Sequence, residues 1–428
     1  MECVRRAILC VGRVSLVVGS VLVVAFGVTT VPALGAPSET TPATAPNTDD
    51  CPHRTQPPPP IDASEVPAPG QPSPAPLSVP NPPIGGGLLG ECGVALPKAA
   101  PPAPQGLSAT AWLLADLDTG AVLAAKDAHG RYRPASTIKV LLAILALRSL
   151  DMDQVVVGTQ DDANVEGSKV GIGPGGLYTN RQLVQALIMT SGNDAAHAIA
   201  TQLGGEAATI ARMNTLAQTL HASDTRAASP SGLDGPGMST SAYDLAVLFR
   251  EAMTIPLFAE VIRTEEIDFP GYPADPTTPG DSDRPGFAIG NDNRLLYTYD
   301  GALGGKTGFT DDARHTFVAA AERGGHRLVV TLLHAEAQPV RPWEQAARLL
   351  DYGFALPHEA VIGTLPGDGL AQPEAVVTTA RPTSLRTAPT DVSNAHDRYA
   401  DTRTLLIFGG GLVVVALLAG ASRFGRKR

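Results

Sequence analysis

The stretch Arg133–Leu147, RPASTIKVLLAILAL, decides how the rest of the chain is read. Ile138 to Leu147 is apolar and made mostly of good helix formers, and Pro134 stands just upstream as a start signal. The pattern predicts a buried helix beginning near Ser136. Ser136 and Lys139 then lie three apart, on one face and one turn apart. A serine hydroxyl is a weak nucleophile and needs a base. A lysine can be that base only when neutral, which burial and a second nearby cation both favour. Alone, the spacing is a weak signal, and a polar first turn ending in a solvated lysine is its commoner explanation.

Upstream, Ala111–Asp116 and Ala121–Ala125 flank Asp118-Thr119-Gly120, a hairpin pattern. Downstream, Thr179 with Gln182 forms a capping-box pattern before Leu183, Ala186 and Leu187. That helix is expected to end near Thr190, leaving Ser191-Gly192-Asn193 on a loop before a helix at Ala195–Gln202. Ser241–Met253 reads as another helix. Lys306-Thr307-Gly308 is expected to begin a strand after Gly304-Gly305. Thr316–Ala321 and Leu328–Leu333 read as strands around a Gly-Gly turn, and Trp343–Leu350 as a closing helix. Strands at both ends and helices in the middle predict an α/β (α+β) domain. One antiparallel sheet is flanked by helices, beside a mostly helical portion.

Three clusters can carry chemistry together. Ser136 and Lys139 offer a nucleophile and its base. Ser191 and Asn193 offer a proton relay and an orienting amide, although Ser, Gly and Asn are also ordinary turn residues. Lys306 and Thr307 make a clamp for a carboxylate. Gly308 lets a peptide backbone come close, and the Phe309 N–H can complete an oxyanion hole with that of Ser136. Lys306 is also the obvious second cation for Lys139. The nine histidines are scattered, and His197 reads as packed or solvated. The spacing of His, Cys and Asp gives no metal site, and no cofactor is expected.

These motifs resemble the penicillin-binding acyl-serine transferases, most closely the low-molecular-mass, serine-type D-alanyl-D-alanine carboxypeptidases of actinobacterial, mycobacterium-like type. The resemblance runs from about Ala109 to Phe354. It rests on Arg133–Ser136, Met189–Ala196, Pro230-Ser231-Gly232-Leu233, Asn291–Leu296 and Gly304–Thr310. It implies a penicillin-binding transpeptidase-like fold. It also implies Ser136 as the acylated nucleophile, Lys139 as base, Ser191 and Asn193 in the relay, and Lys306 and Thr307 on the terminal carboxylate. The partners implied are the peptidoglycan stem peptide and β-lactams as acylating inhibitors.

A β-lactamase is the nearest rival. Those enzymes carry a glutamate that activates the deacylating water, and this chain has none between Ala207 and Arg250. Gly192 also stands where they have Asp. A β-lactam sensor that acylates without turnover is the other rival. Only about seven residues follow the C-terminal apolar run, too few for a signalling segment. The acceptor, water or a peptide amine, stays open.

The formal charge is −10, with 32 basic and 42 acidic residues interspersed, and no basic stripe suits a nucleic acid. Arg5, Arg6 and Arg13 precede an apolar run from Val14 to about Val28 and small residues to Ala36, so 1–36 reads as a secretory signal. An uncleaved anchor competes with that reading. Residues 37–104 hold 20 of the 38 prolines and are expected to be an extended linker with little core. Cys51 and Cys92 bracket it and are expected to pair as a fastener, two free thiols being the alternative. The catalytic domain is expected over 105–356 and a second linker over 357–403. A transmembrane helix is expected over 404–422, centred on uncharged Leu405–Ala421, with a cytoplasmic tail over 423–428 carrying Arg423, Arg426, Lys427 and Arg428. The expected location is a single-pass tether in the cell membrane with the catalytic domain on the cell-wall side.

Overall fold

The computed structural model describes residues 45–357 and 359–367. The expected signal, the transmembrane run and most of 357–403 lie outside the described residues. Among the described residues, no helix is long and apolar enough to cross a membrane.

One seven-stranded antiparallel sheet organises the domain. Its strands are β1 (Val94–Ala95), β2 (Ala111–Asp116), β3 (Ala121–Lys126), β8 (Ala302–Thr310), β9 (Arg314–Arg323), β10 (His326–Ala335) and β11 (Gly363–Thr364). The order is β1-β3-β2-β10-β9-β8, and β11 also pairs with β3. The expected hairpins β2–β3 and β9–β10 are both present. Two small hairpins, β4 (Val155–Val157) with β5 (Leu177–Thr179) and β6 (Glu266–Phe269) with β7 (Phe287–Gly290), stand apart from the sheet. The helices are α1 (Lys139–Ser149), α2 (Gln160–Asn164), α3 (Asn180–Met189), α4 (Asn193–Gln202), α5 (Glu206–Thr219), α6 (Ala242–Ala252), α7 (Pro256–Val261), α8 (Arg294–Thr298) and α9 (Pro342–Ala355).

Alternation along β2 divides the core. Ala111, Leu113 and Ala115 join one cluster, with α1, α3 and α6 side chains such as Leu142, Leu187 and Phe249. Trp112 and Leu114 face the other cluster, with Leu349 and Leu350 of α9. The sheet is thus buried on both faces, which is why β2 and β10 read as nearly continuous apolar runs. Helix α1 is apolar almost all round because it lies inside the helical portion, and Lys139–Ala146 are all buried.

Three expectations are corrected. The strand carrying Lys306 does not begin there: β8 starts at Ala302, so Lys306-Thr307-Gly308 sits inside it. Gly304 looks like a breaker in the sequence but has φ 109° at a register shift, and a Cβ there would collide with the Ile262 carbonyl. Residues 45–104 do not form a free linker but an arm packed on the domain. Proline keeps its carbonyl and lacks an N–H, so this arm is rich in acceptors and poor in donors. The domain supplies the donors. Buried Arg131 donates to the Thr55, Leu77 and Ser78 carbonyls at 2.9, 2.6 and 2.8 Å, Arg133 to the Pro58 carbonyl at 2.9 Å, and Lys126 to the Pro46 carbonyl at 2.6 Å. Cys51 and Cys92 are joined in a disulfide across this arm. The start of the second linker also returns to the sheet, as β11.

Arg131 is the centre of the anchorage, because Asp224 neutralises it from the domain side at 3.1 Å. Arg131→Ala leaves Asp224 with His129 as its ion-pair partner but takes the donor from three arm carbonyls, and is expected to cost about 1–3 kcal/mol of unfolding free energy. A urea midpoint on the full chain, with faster proteolysis inside 45–104, checks this.

Candidate active site

The first cluster sits on a tight turn. Ala135–Ile138 is a 3-10 turn, and the α-helix proper begins at Lys139. Ala135 holds φ 46°, an unfavourable value for a residue with a Cβ. The surroundings impose it. The Pro134 carbonyl accepts from Thr137 Oγ1 at 2.6 Å and from Thr316 Oγ1 of β9 at 2.7 Å. The Ala135 carbonyl presses on Gly232, where a Cβ would collide with it and where φ is 90°. Gly308 of β8 lies against the same turn: a Cβ there would be 2.9 Å from the Ser136 nitrogen and 3.1 Å from that of Thr137. The close approach at Gly308 is therefore made by the turn carrying Ser136.

Lys139 is fully buried, and its Nζ lies 2.8 Å from Ser136 Oγ, 2.7 Å from Asn193 Oδ1 and 2.6 Å from the Ser231 carbonyl. Asn193 Nδ2 donates to the Glu166 carbonyl at 2.7 Å, which can only accept, so Oδ1 must face Lys139. Two of the three Lys139 partners are thus acceptors only. A neutral amine satisfies them with its two N–H bonds and turns its lone pair to the Ser136 hydroxyl. Burial pushes the Lys139 pKa well below its ordinary value, the Lys306 charge adds to this, and Asp292 and Asp194 oppose it.

The second cluster is built by helix ends. The capping box at Thr179 and Gln182 starts α3 as expected. Helix α3 closes at Met189, Ser191 turns the chain with φ 60°, and Asn193 opens α4. Ser191 is buried, but Lys139 Nζ reaches Ser136, Asn193 and Ser231 rather than Ser191. Asp194 accepts N–H bonds from Val170, Gly171 and Ile172 at 3.0, 2.8 and 3.0 Å, holding the loop that faces Asn193.

Lys306 of β8 is also fully buried. Its Nζ lies 2.8 Å from the Thr307 carbonyl and 3.8 Å from Asp292 Oδ2, and Thr307 Oγ1 donates to the same Asp292 oxygen at 2.8 Å. Burial lowers the Lys306 pKa, and Asp292 raises it. The Asp292 N–H donates to the Met189 carbonyl at the end of α3, so Lys306 and Thr307 are tied through Asp292 to the second cluster. Phe309, the next residue but one after Thr307, is 48% exposed.

The structure therefore brings Ser136, Lys139, Asn193 and Gly308 together, with Lys306 near enough to act on Lys139. Sequence reasoning missed Asp292 and the Ser231 carbonyl. Both fall in segments that carried the family resemblance, but nothing local marks a carbonyl acceptor or a counter-ion. His197 pairs with Asp162 at 2.6 Å. A buried group the spacing did not reveal, His129, Asp224 and Asp244, has its ligand-type atoms within 4.8 Å of one another. Asp224 there holds His129 and Arg131, and Asp244 accepts from Thr225 Oγ1 and the Asp224 N–H, so these groups serve the arm's anchorage.

Residues 98–337 match the family model of D-alanyl-D-alanine carboxypeptidases. The chain belongs to that family. The D-alanyl-D-alanine carboxypeptidase DacB2 of Mycobacterium tuberculosis is 46% identical over 273 residues, covering 63% of this chain and 90% of its own length. The crystal structure of a D-alanyl-D-alanine carboxypeptidase from Mycobacterium tuberculosis superposes with a TM-score of 0.58 at 45% identity, covering 63% of this chain and all of that one. The Streptomyces K15 DD-transpeptidase superposes with a TM-score of 0.55 at 30% identity, covering 60% of this chain and all of that one. The fold is that of the penicillin-binding DD-peptidases, and the chain is a serine-type carboxypeptidase of this family.

Gly232→Ala is expected to displace the Ala135–Ser136 turn and to slow acylation by a fluorescent penicillin about tenfold or more. Stopped-flow or gel-based labelling of the folded variant measures it.

Proposed function

We propose that this carboxypeptidase removes the terminal D-Ala from peptidoglycan stem peptides through an ester on Ser136. The observation that carries the reading is the Lys139 amine, buried and held between Ser136 Oγ and two acceptors. The neutral amine takes the Ser136 proton as Oγ forms its bond to the carbonyl carbon of the penultimate D-Ala. The C–N bond then breaks, and the proton passes to the leaving amine of the terminal D-Ala, with Ser191 in the relay. Water next attacks the ester, Lys139 takes a proton from it, and Ser136 leaves as its hydroxyl.

Strand β8 lies at an edge of the sheet, so an extended peptide can add alongside it. Lys306 and Thr307 take the terminal carboxylate. The N–H groups of Ser136 and Phe309 take the oxyanion, beside the close approach at Gly308. A β-lactam places its ring carbonyl where the scissile carbonyl lies, and acylates Ser136 in the same way. We also infer that Leu405–Ala421 tethers the protein to the membrane with its catalytic domain on the cell-wall side, which rests on the sequence. Recovery of the full-length chain in the soluble fraction without detergent would overturn the tether.

Mass spectrometry of a synthetic pentapeptide incubated with the protein is expected to show loss of one D-Ala. Ser136→Ala is expected to lower that release at least about a thousandfold and to abolish penicillin labelling. Lys139→Ala is expected to lower it about 10²–10⁴-fold. Labelling that survives Ser136→Ala would contradict the assignment.

The pH profile follows from the two lysines. Activity rises with pH as Lys139 loses its proton, and falls as Lys306 loses the charge that holds the carboxylate. Asp292 raises the pKa of both. Asp292→Asn is therefore expected to shift both limbs of the kcat/KM profile to lower pH. An unmoved acidic limb would contradict the role of Lys139.

A further inference from the structure

The arm carries a tip that reaches the site. Asp312 follows the end of β8, and its buried carboxylate accepts from the Ile61 N–H at 2.6 Å and from Ser64 Oγ at 3.4 Å. Glu65 pairs with Arg133, three residues before Ser136. Ser64 also lines a cavity of about 420 Å³ together with Asn193, Ser231 and Leu233. Two of these lining residues, Asn193 and Ser231, are the partners of Lys139. The tip is thus fixed between the end of the substrate strand and the nucleophile's turn.

The direction of the substrate follows from the proposed carboxylate clamp. With the terminal carboxylate at Lys306 and Thr307 and the scissile carbonyl at Ser136, residues further upstream run past Phe309 and Thr310. Thr310 is two residues beyond Gly308, about 7 Å along a strand. The residues just upstream of the D-Ala pair therefore come abreast of the turn that holds Ile61. Ile61, held there by Asp312, is 70% exposed, and Phe309 is half-exposed on β8. None of this surface is needed for the fold's core. The family match begins at residue 98, so the tip lies outside the region the family shares.

We infer that Ile61–Glu65 forms a specificity-determining wall of the peptide site, contacting the stem-peptide residues upstream of the D-Ala pair. This rests on the proposed reading of the substrate and its direction. It makes the proline-rich arm part of the enzyme's selectivity. Ile61 and Phe309 offer apolar contact to the aliphatic part of the side chain that meets the wall.

The test uses the full-length chain with two substrates, N-acetyl-D-Ala-D-Ala, which has no upstream residue, and the pentapeptide. Ile61→Asp changes an exposed side chain and leaves the Asp312 bond to the backbone in place. It is expected to lower kcat/KM for the pentapeptide about tenfold, with the dipeptide unchanged within about twofold. Ile61→Ala is expected to act in the same direction and less. An equal loss on both substrates would show a tip that only supports the fold, and no change on either would show a tip that does not touch substrate. Each result overturns the inference. If the unmodified chain releases D-Ala from neither substrate, the functional reading fails with it, and that outcome is distinct from the other two.

Discussion

The site depends on one buried amine. Lys139 is removed from water inside a helix that is apolar on nearly every side, and a second buried lysine adds a like charge. Desolvation disfavours a charged ammonium far more than it disfavours a neutral amine. The protein then supplies two carbonyl-type acceptors that hold the amine in position, and leaves its lone pair to the nucleophile. Asp292 limits the effect. One carboxylate thus raises the pKa of both lysines. In the proposed mechanism the acid–base work and the carboxylate binding are therefore not independent.

The scaffold exists to bring four chain segments within reach of that amine. Ser136 comes from the start of α1, Asn193 from the start of α4, the Ser231 carbonyl from a loop, and Lys306 from an edge strand. Two glycines make this possible. Gly232 accepts the Ala135 carbonyl, and Gly308 lets β8 lie against the turn of Ser136. The unfavourable backbone at Ala135, next to Ser136, is held by these contacts. The proline-rich arm adds a further layer. It is bound by arginines whose donors match its surplus of carbonyls.

Much of this was legible in the sequence, because the signals are local. The spacing of Ser136 and Lys139 and the capping box at Thr179 are written in short windows. So are the alternating strands of the two hairpins. The parts that were misread depend on distant partners. Gly304 and Gly305 suggested a break before Lys306, although they are packed inside β8 against Ile262 and Val318. Residues 45–104 have the composition of a free linker, and distant partners such as the buried donors Arg131, Arg133 and Lys126 make them an ordered arm. Asp292 and the Ser231 carbonyl act through contacts with residues far along the chain, and no periodicity records them.

The most direct test is the titration of Lys139 itself. The chain has six lysines, so selective ¹³C labelling gives few resonances, and Lys139→Arg assigns the one in question. The Lys139 side chain is expected to lose its proton well below the ordinary lysine value of 10.5. A Lys139 resonance that titrates at the ordinary value would contradict the neutral amine on which the site is built.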